Sequence, residues 1–146
     1  MEPELALISG VKVNPLKIIH NPKGNIFRAI KNSDKGFSGF GEAYFSSINQ
    51  GKIKGWRKHK KMVMNLIVPN GEVGFHFFCD GKTESLLVGS SNYVRVTVEP
   101  NTWMAFEGIG EGINLILNVA SVLHDPSETE TADISSYPLR RLGVSL

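Results

Sequence analysis

The chain has 146 residues, of which 41% are hydrophobic, and its 16 basic and 14 acidic side chains leave a net charge of +2. This length and apolar content suit one domain with its own core, so we expect a single domain over residues 1–146. The balanced charge excludes a chain-wide nucleic-acid surface. No apolar stretch reaches the ~20 residues of a membrane-spanning helix. The start, MEPELALISG, lacks the regions of a secretory signal, so we expect a cytoplasmic protein with no membrane partner.

Short runs rich in Val, Ile and Phe predict ten strands, at 11–16, 24–30, 40–47, 52–59, 63–68, 73–79, 85–89, 93–98, 103–107 and 113–119. Gly, Asn and Pro stand between most of these runs, as reversals of antiparallel strands require. We interpret the glycine-rich stretch 108–112 as a hairpin turn, because no βαβ unit surrounds it.

Helix is predicted only near the end of the chain, over residues 126–142, with Ser127 as N-cap and Glu130 three residues later. The single cysteine, Cys79, lies in an apolar run, and we expect it to be a buried thiol. Many short strands and little helix favour an all-β sandwich or antiparallel β-barrel, of which the jelly roll is one form.

The densest polar segment is KIKGWRKHKK, residues 52–61. One interpretation is an exposed edge strand whose lysines discourage aggregation. The other is an anion site, for which a diphosphate is the natural ligand of clustered Lys and Arg. Strand alternation would place Arg57, His59, Lys61, Val63, Asn65 and Ile67 on one face, with Trp56, Lys58, Lys60, Met62 and Met64 on the other. Arg57 and His59 would then point together into a barrel mouth.

Residues 40–57, FGEAYFSSINQGKIKGWR, resemble a segment of the dTDP-4-dehydrorhamnose 3,5-epimerases that runs from F-x-Q/E through S-x-S to R-G-L-H. Residues 55–73 are also similar to the G-x-H-A-H-K-K of the related 3,4-ketoisomerases, whose second histidine matches His59. Two later stretches, VGSSNYVRVTVEPNTWMAF and HDPSE, resemble the family's L-S-x-x-N-x-x-x-x-x-x-P-P-G-F-A-H-G-F and Y-Y-x-P-x-x-E. The resemblance covers residues 40–128.

This resemblance implies a cupin-type jelly roll, a homodimer, and an enzyme that epimerises or isomerises a nucleotide-linked 4-keto-deoxysugar for surface polysaccharide biosynthesis. The reaction is proton abstraction and return beside the ketone, which needs neither a cofactor nor a metal. The nucleotide sugar is the expected small-molecule partner. On this basis the candidate catalytic residues are His59, Arg57 and Glu42, and the candidate substrate-binding residues are Lys54, Asn65, His76 and Asn118.

Three family positions carry other residues here. Arg57 stands at the place of the base histidine, Met104 at that of a second histidine, and Asn118 near that of the catalytic tyrosine. Arginine stays protonated, so Arg57 cannot act as an ordinary base. The missing histidines also argue against a metal site. The alternative function is therefore a catalytically inactive cupin that binds a sugar or a nucleotide sugar.

Overall fold

A computed structural model describes residues 4–143, and they form antiparallel β-structure with two single turns of 3-10 helix. The strands are β1 (Leu5–Ile8), β2 (Val11–Pro15), β3 (Ile18–Ile19), β4 (Ile26–Phe27), β5 (Glu42–Ser47), β6 (Ile53–His59), β7 (Met64–Asn70), β8 (Glu72–Cys79), β9 (Lys82–Gly89), β10 (Val94–Val98), β11 (Trp103–Gly108), β12 (Leu115–Ala120) and β13 (Thr129–Thr131). Over this part of the chain, no helix is long and apolar enough to cross a membrane.

Two sheets face each other. One has six strands in the order β1-β2-β10-β7-β12-β5, and the other has five in the order β13-β6-β11-β8-β9. Strands β3 and β4 form a separate ribbon. Every strand pairing is antiparallel. The prediction of an all-β fold is therefore confirmed.

The core lies between the sheets and follows the two-residue period of the strands. In β8 the alternate residues Val73, Phe75 and Phe77 are fully buried and belong to this core, together with Met64 and Leu66 from β7. Burying an aliphatic or aromatic side chain of this size contributes about 1.5–3 kcal/mol. The alternation of apolar residues in the sequence thus identifies the inner faces of these strands.

Strands β8 and β9 are joined by a two-residue hairpin, Asp80-Gly81, with φ angles of 51° and 74°. Positive φ at both central residues is what a tight primed turn needs, and the sequence pair Asp-Gly is typical of it. The reversal predicted at this place is therefore confirmed. Cys79, at the end of β8, is half-buried rather than fully buried, and burial together with the charge of Asp80 raises the pKa of its thiol.

The sequence-based assignment is wrong at four further places. The strand predicted over 24–30 shrinks to Ile26–Phe27, and the strands Leu5–Ile8 and Ile18–Ile19 were not predicted. The glycine-rich stretch 108–112 is not a hairpin turn, because β11 and β12, which it connects, belong to different sheets. Strand β1 forms by pairing with the adjacent β2, β4 is limited to the two residues that pair with β3, and the stretch 108–112 passes from one sheet to the other.

The helix predicted over 126–142 is also absent. The structure has 3-10 turns at Pro126–Glu128 and Ile134–Ser136 with β13 between them, and the N-cap of the first turn is Asp125 rather than Ser127. The reason is tertiary: Thr129–Thr131 pair with β6 and add a strand to the five-stranded sheet. Threonine is also favoured in strands, where its branched side chain packs well.

Residues 133–143, called here the strap, run across the outer face of the five-stranded sheet. Trp56 Nε1 donates to the carbonyl oxygen of Ile134 over 3.1 Å. The Tyr137 ring stacks on Phe78 with 4.3 Å between centroids and 19° between planes. Trp103 lies tilted against the same tyrosine, 5.2 Å away. Aromatic packing thus holds the first half of the strap.

The second half of the strap is held by Glu107, whose side chain is 0% exposed. Its carboxylate accepts hydrogen bonds from Arg141 Nε, from the backbone N–H groups of Leu142 and Gly143, and from His76 Nε2, each over 2.9 Å. Burial alone would raise the pKa of Glu107, but these donors outweigh it and lower the pKa to about 2.

Because the pKa of Glu107 is lower in the folded protein than its ordinary value of 4.5, its ionisation stabilises the fold above that value. This contribution, about 3 kcal/mol, should be lost as the pH falls from about 4.5 towards 2. We therefore expect Glu107→Gln to be less stable than wild type at pH 7 and to show a smaller further loss on acidification. Urea unfolding at a series of pH values measures both effects. Glu111→Gln, at an exposed glutamate, is the control and should follow wild type. An equal acid loss in wild type and Glu107→Gln would contradict this account.

Candidate functional site

A cavity of about 550 Å³ opens between the two sheets. Its lining comes from β5, β6, β7, β11, β12 and β13 and the residue after β13, and consists of Tyr44, Ser46, Lys54, Gly55, Trp56, Arg57, His59, Met64, Leu66, Met104, Phe106, Ile116, Asn118, Thr131 and Ala132. Apolar side chains form its floor, and a few polar groups stand around them. Such a lining is typical of small-molecule sites, where the polar groups fix the orientation of the ligand.

A β-bulge in β6 decides which basic side chains enter the cavity. Arg57 pairs with Met104 and Lys54 with Phe106, so two residues of β6 oppose the single Ala105 of β11. The extra residue turns Lys54 and Arg57, three positions apart, to the same inner face. Regular alternation would have placed them on opposite faces.

His59, the last residue of β6, forms a buried pair with Glu128. Its Nδ1 lies 2.6 Å from Glu128 Oε1, and the two side chains are 5% and 3% exposed. Glu128 Oε2 accepts hydrogen bonds from the backbone N–H groups of Lys60 and Lys61 over 2.8 and 2.9 Å. Burial would raise the pKa of Glu128, but the donors from His59, Lys61 and Lys60 outweigh it and lower the pKa. An ionised Glu128 can only accept hydrogen bonds, so His59 donates from Nδ1.

The other ring nitrogen of His59 is left for the cavity. No hydrogen bond to His59 Nε2 occurs within residues 4–143, and the ring lines the cavity wall. With the proton on Nδ1, Nε2 of the neutral ring carries a lone pair and can accept a proton. The arrangement is that of a base held in one tautomer by a carboxylate.

Sequence reasoning gave Glu128 no role, although it ends the HDPSE motif. The 3-10 turn Pro126–Glu128 carries it to the site, and Asp125 caps this turn by accepting a hydrogen bond from Ser127 N over 3.0 Å. The HDPSE motif thus forms a turn that places the carboxylate of Glu128 against His59 at the end of β6.

Two basic side chains, Arg57 and Lys54, line the cavity. Within the described residues neither forms an ion pair, whereas Lys58 and Lys60 both pair with Glu130, at 3.2 and 3.5 Å. Lys54 Nζ donates to the carbonyl oxygen of Ser47 over 2.7 Å, which keeps the ammonium group at the rim of the cavity. The edge-strand interpretation of this segment is wrong, because β6 lies between β13 and β11.

The opposite wall contributes a phenol that sequence reasoning did not find. Asn118 of β12 pairs with Tyr44 of β5, and its Nδ2 donates to Tyr44 Oη over 3.0 Å. The stretch around Asn118 contains no tyrosine, but strand pairing brings Tyr44 of β5 beside it. Alternation along EAYFSS already groups Tyr44 with Ser46, and both line the cavity.

Three predicted site residues do not line the cavity. Asn65 lies on the other face of its sheet, where its amide donates to Gly36 O over 2.9 Å and its oxygen accepts from Thr97 Oγ1 over 2.6 Å. The turn after His59 shifts the alternation by one residue, so Met64 and Leu66 face inward instead. The prediction that Asn65 shares the face of His59 is therefore wrong.

His76 lies on the outer face of the five-stranded sheet, beneath the strap. Its Nε2 bonds Glu107 and its Nδ1 lies 2.7 Å from Ser85 Oγ. Burial lowers the pKa of His76 more than Glu107 raises it. Glu42 shares the inner face of β5 with Tyr44, but its carboxylate accepts a hydrogen bond from His124 N over 2.7 Å and so holds the loop after β12.

Metal-ligating side chains do not cluster in the described part of the chain. Over residues 4–143, no three side chains of His, Cys, Asp or Glu lie close enough together to hold a metal ion. The titratable side chains that line the cavity are Tyr44, Lys54, Arg57 and His59, and His59 is paired with Glu128 behind it.

Comparison of the structure with solved structures finds several sugar-nucleotide enzymes. A dTDP sugar isomerase from Desulfovibrio desulfuricans G20 superposes with a TM-score of 0.86 at 24% identity, over 90% of each chain. The 3,4-ketoisomerase QdtA from Thermoanaerobacterium thermosaccharolyticum, in complex with TDP, gives 0.75 at 20% identity, over 85% of this chain and 89% of that one. The rmlC epimerase of Mycobacterium tuberculosis gives 0.77 at 14% identity, over 89% and 72%.

This chain has the cupin-type fold of these enzymes. The jelly-roll prediction is thereby confirmed. No family model matches the sequence, and no curated protein does.

The carboxylate of Glu128 satisfies three donors at once, so its loss should be costly to the fold. We expect Glu128→Gln to reduce the free energy of unfolding by about 1–3 kcal/mol, because the amide leaves at least one buried donor without an acceptor. Urea denaturation of purified protein measures this loss. The matched control is Glu130→Gln, which removes only exposed, solvent-screened ion pairs and should have a much smaller effect on the free energy of unfolding. Equal losses in the two variants would contradict the role given to Glu128.

Proposed function

We propose that this protein is an epimerase or isomerase of a nucleotide-linked 4-keto-deoxysugar. The observation that carries the proposal is the buried His59–Glu128 pair in a cavity that also holds two cations without acidic partners. Solved enzymes of the same fold support it, since they are described as a dTDP sugar isomerase, a 3,4-ketoisomerase bound to TDP and an epimerase.

The chemistry needs one group that removes and returns a proton near neutral pH. A ketone at C4 acidifies the C–H bond on the neighbouring carbon, and His59 Nε2 takes that proton while the electron pair of the bond moves into an enolate. The positive charge that appears on the imidazole is stabilised by Glu128, which lies against its Nδ1. Return of a proton to carbon completes either an epimerisation or an isomerisation.

The cations have the complementary task. Arg57 stays protonated and cannot be the base, but its guanidinium can bind two oxygens of a phosphate or the enolate oxygen. Lys54, on the same inner face, adds a second positive charge. We assign both to the diphosphate or the enolate, where charge-assisted hydrogen bonds contribute most. Asn118 contacts the ligand in this proposal only by way of Tyr44.

Glu42 supports the site from outside the cavity in this proposal. Its hydrogen bond to His124 N holds the start of the segment that carries Glu128 four residues later.

We further propose that the protein works in the cytoplasm as a homodimer and supplies a sugar for surface polysaccharide. The dimer is supported by the edge position of β5, whose Phe45 is 61% exposed.

The alternative is a catalytically inactive cupin that binds a sugar or a nucleotide sugar. Met104 favours it, since an apolar thioether lies beside Arg57 where the resembling epimerases carry a histidine. The two functions differ in one observable, the exchange of a carbon-bound proton with solvent.

Incubation with a dTDP-linked 4-keto-6-deoxyhexose in deuterium oxide should place deuterium on a carbon beside the ketone, as seen by NMR and mass spectrometry. His59→Asn should abolish this exchange with nearly unchanged binding, because the imidazole moves a proton and does not hold the diphosphate. His20→Asn, remote from the cavity lining, is the control and should exchange normally. Binding without exchange in the wild-type protein would establish the inactive alternative.

Arg57→Ala should instead weaken binding of dTDP by about 10- to 150-fold, the equivalent of about 1.5–3 kcal/mol for a charge-assisted contact. Isothermal titration calorimetry measures the change. Arg28→Ala, at an exposed arginine away from the cavity, should bind dTDP as wild type does. Unchanged affinity in Arg57→Ala would rule out its role as an anion binder.

A further inference from the structure

We propose that Ser85 is an acylation site, a serine nucleophile activated by His76 and Glu107 on the outer face of the five-stranded sheet. This inference goes beyond the proposed function, because none of the three residues lines the cavity between the sheets. The observation that carries it is a continuous hydrogen-bonded relay from the Ser85 hydroxyl through the His76 ring to the Glu107 carboxylate.

Three neighbouring strands bring the relay together. In the five-stranded sheet β11, β8 and β9 lie side by side, with β9 at the edge. His76 of β8 stands directly opposite Ser85 of β9 and, on its other side, opposite Ala105 of β11. Glu107 follows Ala105 by two residues and so shares its face. Cross-strand partners also share a face, so all three side chains of the relay stand on the outside of the sheet.

The charge state of Glu107 fixes the direction of both hydrogen bonds. Its pKa is lowered to about 2, so at neutral pH the carboxylate is ionised and can only accept. His76 therefore donates to Glu107 Oε1 from Nε2, over 2.9 Å. Burial lowers the pKa of His76, so the ring is neutral at pH 7 and its Nδ1 carries a lone pair. That lone pair accepts the hydroxyl proton of Ser85, whose Oγ lies 2.7 Å away.

This arrangement is the one that activates a serine hydroxyl. A nucleophile whose proton is directed at a base, with the base oriented by a third group, is shared by serine-based acyl transfer on unrelated folds. His59 and Glu128 form the same kind of imidazole–carboxylate pair in the cavity. The difference is that the second ring nitrogen of His76 faces a hydroxyl group instead of a ligand cavity.

Burial gives the three groups different access to solvent. Glu107 and His76 are both buried beneath the strap, where little water competes for their hydrogen bond. The strap also fixes the carboxylate, through the donors Arg141 Nε and Leu142 N. Ser85 is half-buried on the edge strand β9, so its oxygen is the part of the relay that a reagent can reach.

The reagent class that fits this site is an activated carboxylic ester, and the step balances in atoms and electrons. Ser85 Oγ attacks the carbonyl carbon while its proton passes to His76 Nδ1. The bond from that carbon to the leaving oxygen breaks, and the departing alcohol takes the proton from Nδ1. Glu107 stabilises the positive charge that the imidazole carries in between. The products are acyl-Ser85 and a free alcohol, so no co-reactant is needed.

The test labels the full chain with an alkyl fluorophosphonate, in which Ser85 Oγ bonds to phosphorus and fluoride leaves. Intact mass spectrometry should show a single adduct, and peptide mapping should place it on Ser85. Ser85→Ala should not be labelled, and His76→Gln should slow labelling by about 10²-fold or more, the usual contribution of a general base. Ser90→Ala is the matched control and should be labelled as wild type is, because the Ser90 hydroxyl bonds the carboxylate of Glu72 directly, over 2.8 Å.

A chromogenic ester gives a second readout of the same nucleophile. With p-nitrophenyl acetate, wild type and Ser90→Ala should release p-nitrophenolate in a burst equal to the amount of protein, and Ser85→Ala should show no burst.

Three results would overturn the inference. The first is folded wild-type protein that takes up no label, and the second is an adduct that forms equally in wild type and Ser85→Ala. The third is labelling of Ser85 at an unchanged rate in His76→Gln, which would make Ser85 an ordinary surface hydroxyl. Thermal unfolding verifies that the variants are folded. Ser85→Ala removes only a half-buried hydroxyl, so it decides the test even where His76→Gln does not fold. Binding of dTDP should be unchanged in Ser85→Ala, which keeps this result separate from the proposed function.

Discussion

The buried carboxylate of Glu128 connects the end of β6 to the segment that follows β12, two parts of the chain that are far apart in sequence. Its two oxygens accept from His59 Nδ1 and from the N–H groups of Lys60 and Lys61. Those N–H groups belong to the turn after β6, where backbone donors left without acceptors would each cost about 1–3 kcal/mol. The same ion therefore stabilises the turn, fixes the imidazole and anchors the start of β13.

Two irregularities in one stretch of chain create the site. The bulge opposite Ala105 brings Lys54 and Arg57 to the inner face of β6, and the turn held by Glu128 shifts the alternation so that β7 presents Met64 and Leu66 inward. A regular strand through this region would divide the cations between the two faces. The polar wall and the apolar floor of the cavity thus depend on departures from ideal strand geometry, which is where bulges are often found near functional sites.

The strap shows how the outer face supports this arrangement. Trp56 occupies the bulge, and its indole bonds Ile134 O while its ring meets Tyr137 edge-on at 5.7 Å. Packing on the outer face of the sheet therefore holds Trp56 in place, and with it the bulge that turns Lys54 and Arg57 towards the cavity. Glu107 binds the far end of the strap, so the segment that covers the outer face of β6 is held at both of its ends.

Much of the fold follows from local patterns, because apolar alternation and turn residues act over a few positions. Ten predicted strands correspond to observed ones, although that over 24–30 is much shorter, and Arg57 and His59 share the inner face as predicted. Alternation holds only within one strand, however. The turn after His59 shifts it by one residue, so Asn65 does not share the inner face of His59. Glu128 reaches His59 through the pairing of β13 with β6, and Tyr44 reaches Asn118 through the pairing of β5 with β12, which no local pattern specifies. The helix prediction over 126–142 fails for the same reason, since pairing of Thr129–Thr131 with β6 overrides a weak capping signal.

By sequence resemblance, Arg57 stands where the epimerases carry their base histidine, and the structure gives a physical reason why an arginine suits this position. Positions 57 and 59 lie on the same inner face, one β-repeat of about 7 Å apart. A base at position 59 can be buried against Glu128, whereas position 57 is exposed near the mouth, where a permanent cation costs little to hold. A histidine at position 57 would titrate near neutral pH, but an arginine keeps its charge for an anionic ligand whatever the state of His59. In the proposed function, the arginine therefore binds the anion at position 57 while the histidine at position 59 transfers the proton, so the two tasks are separated along one strand.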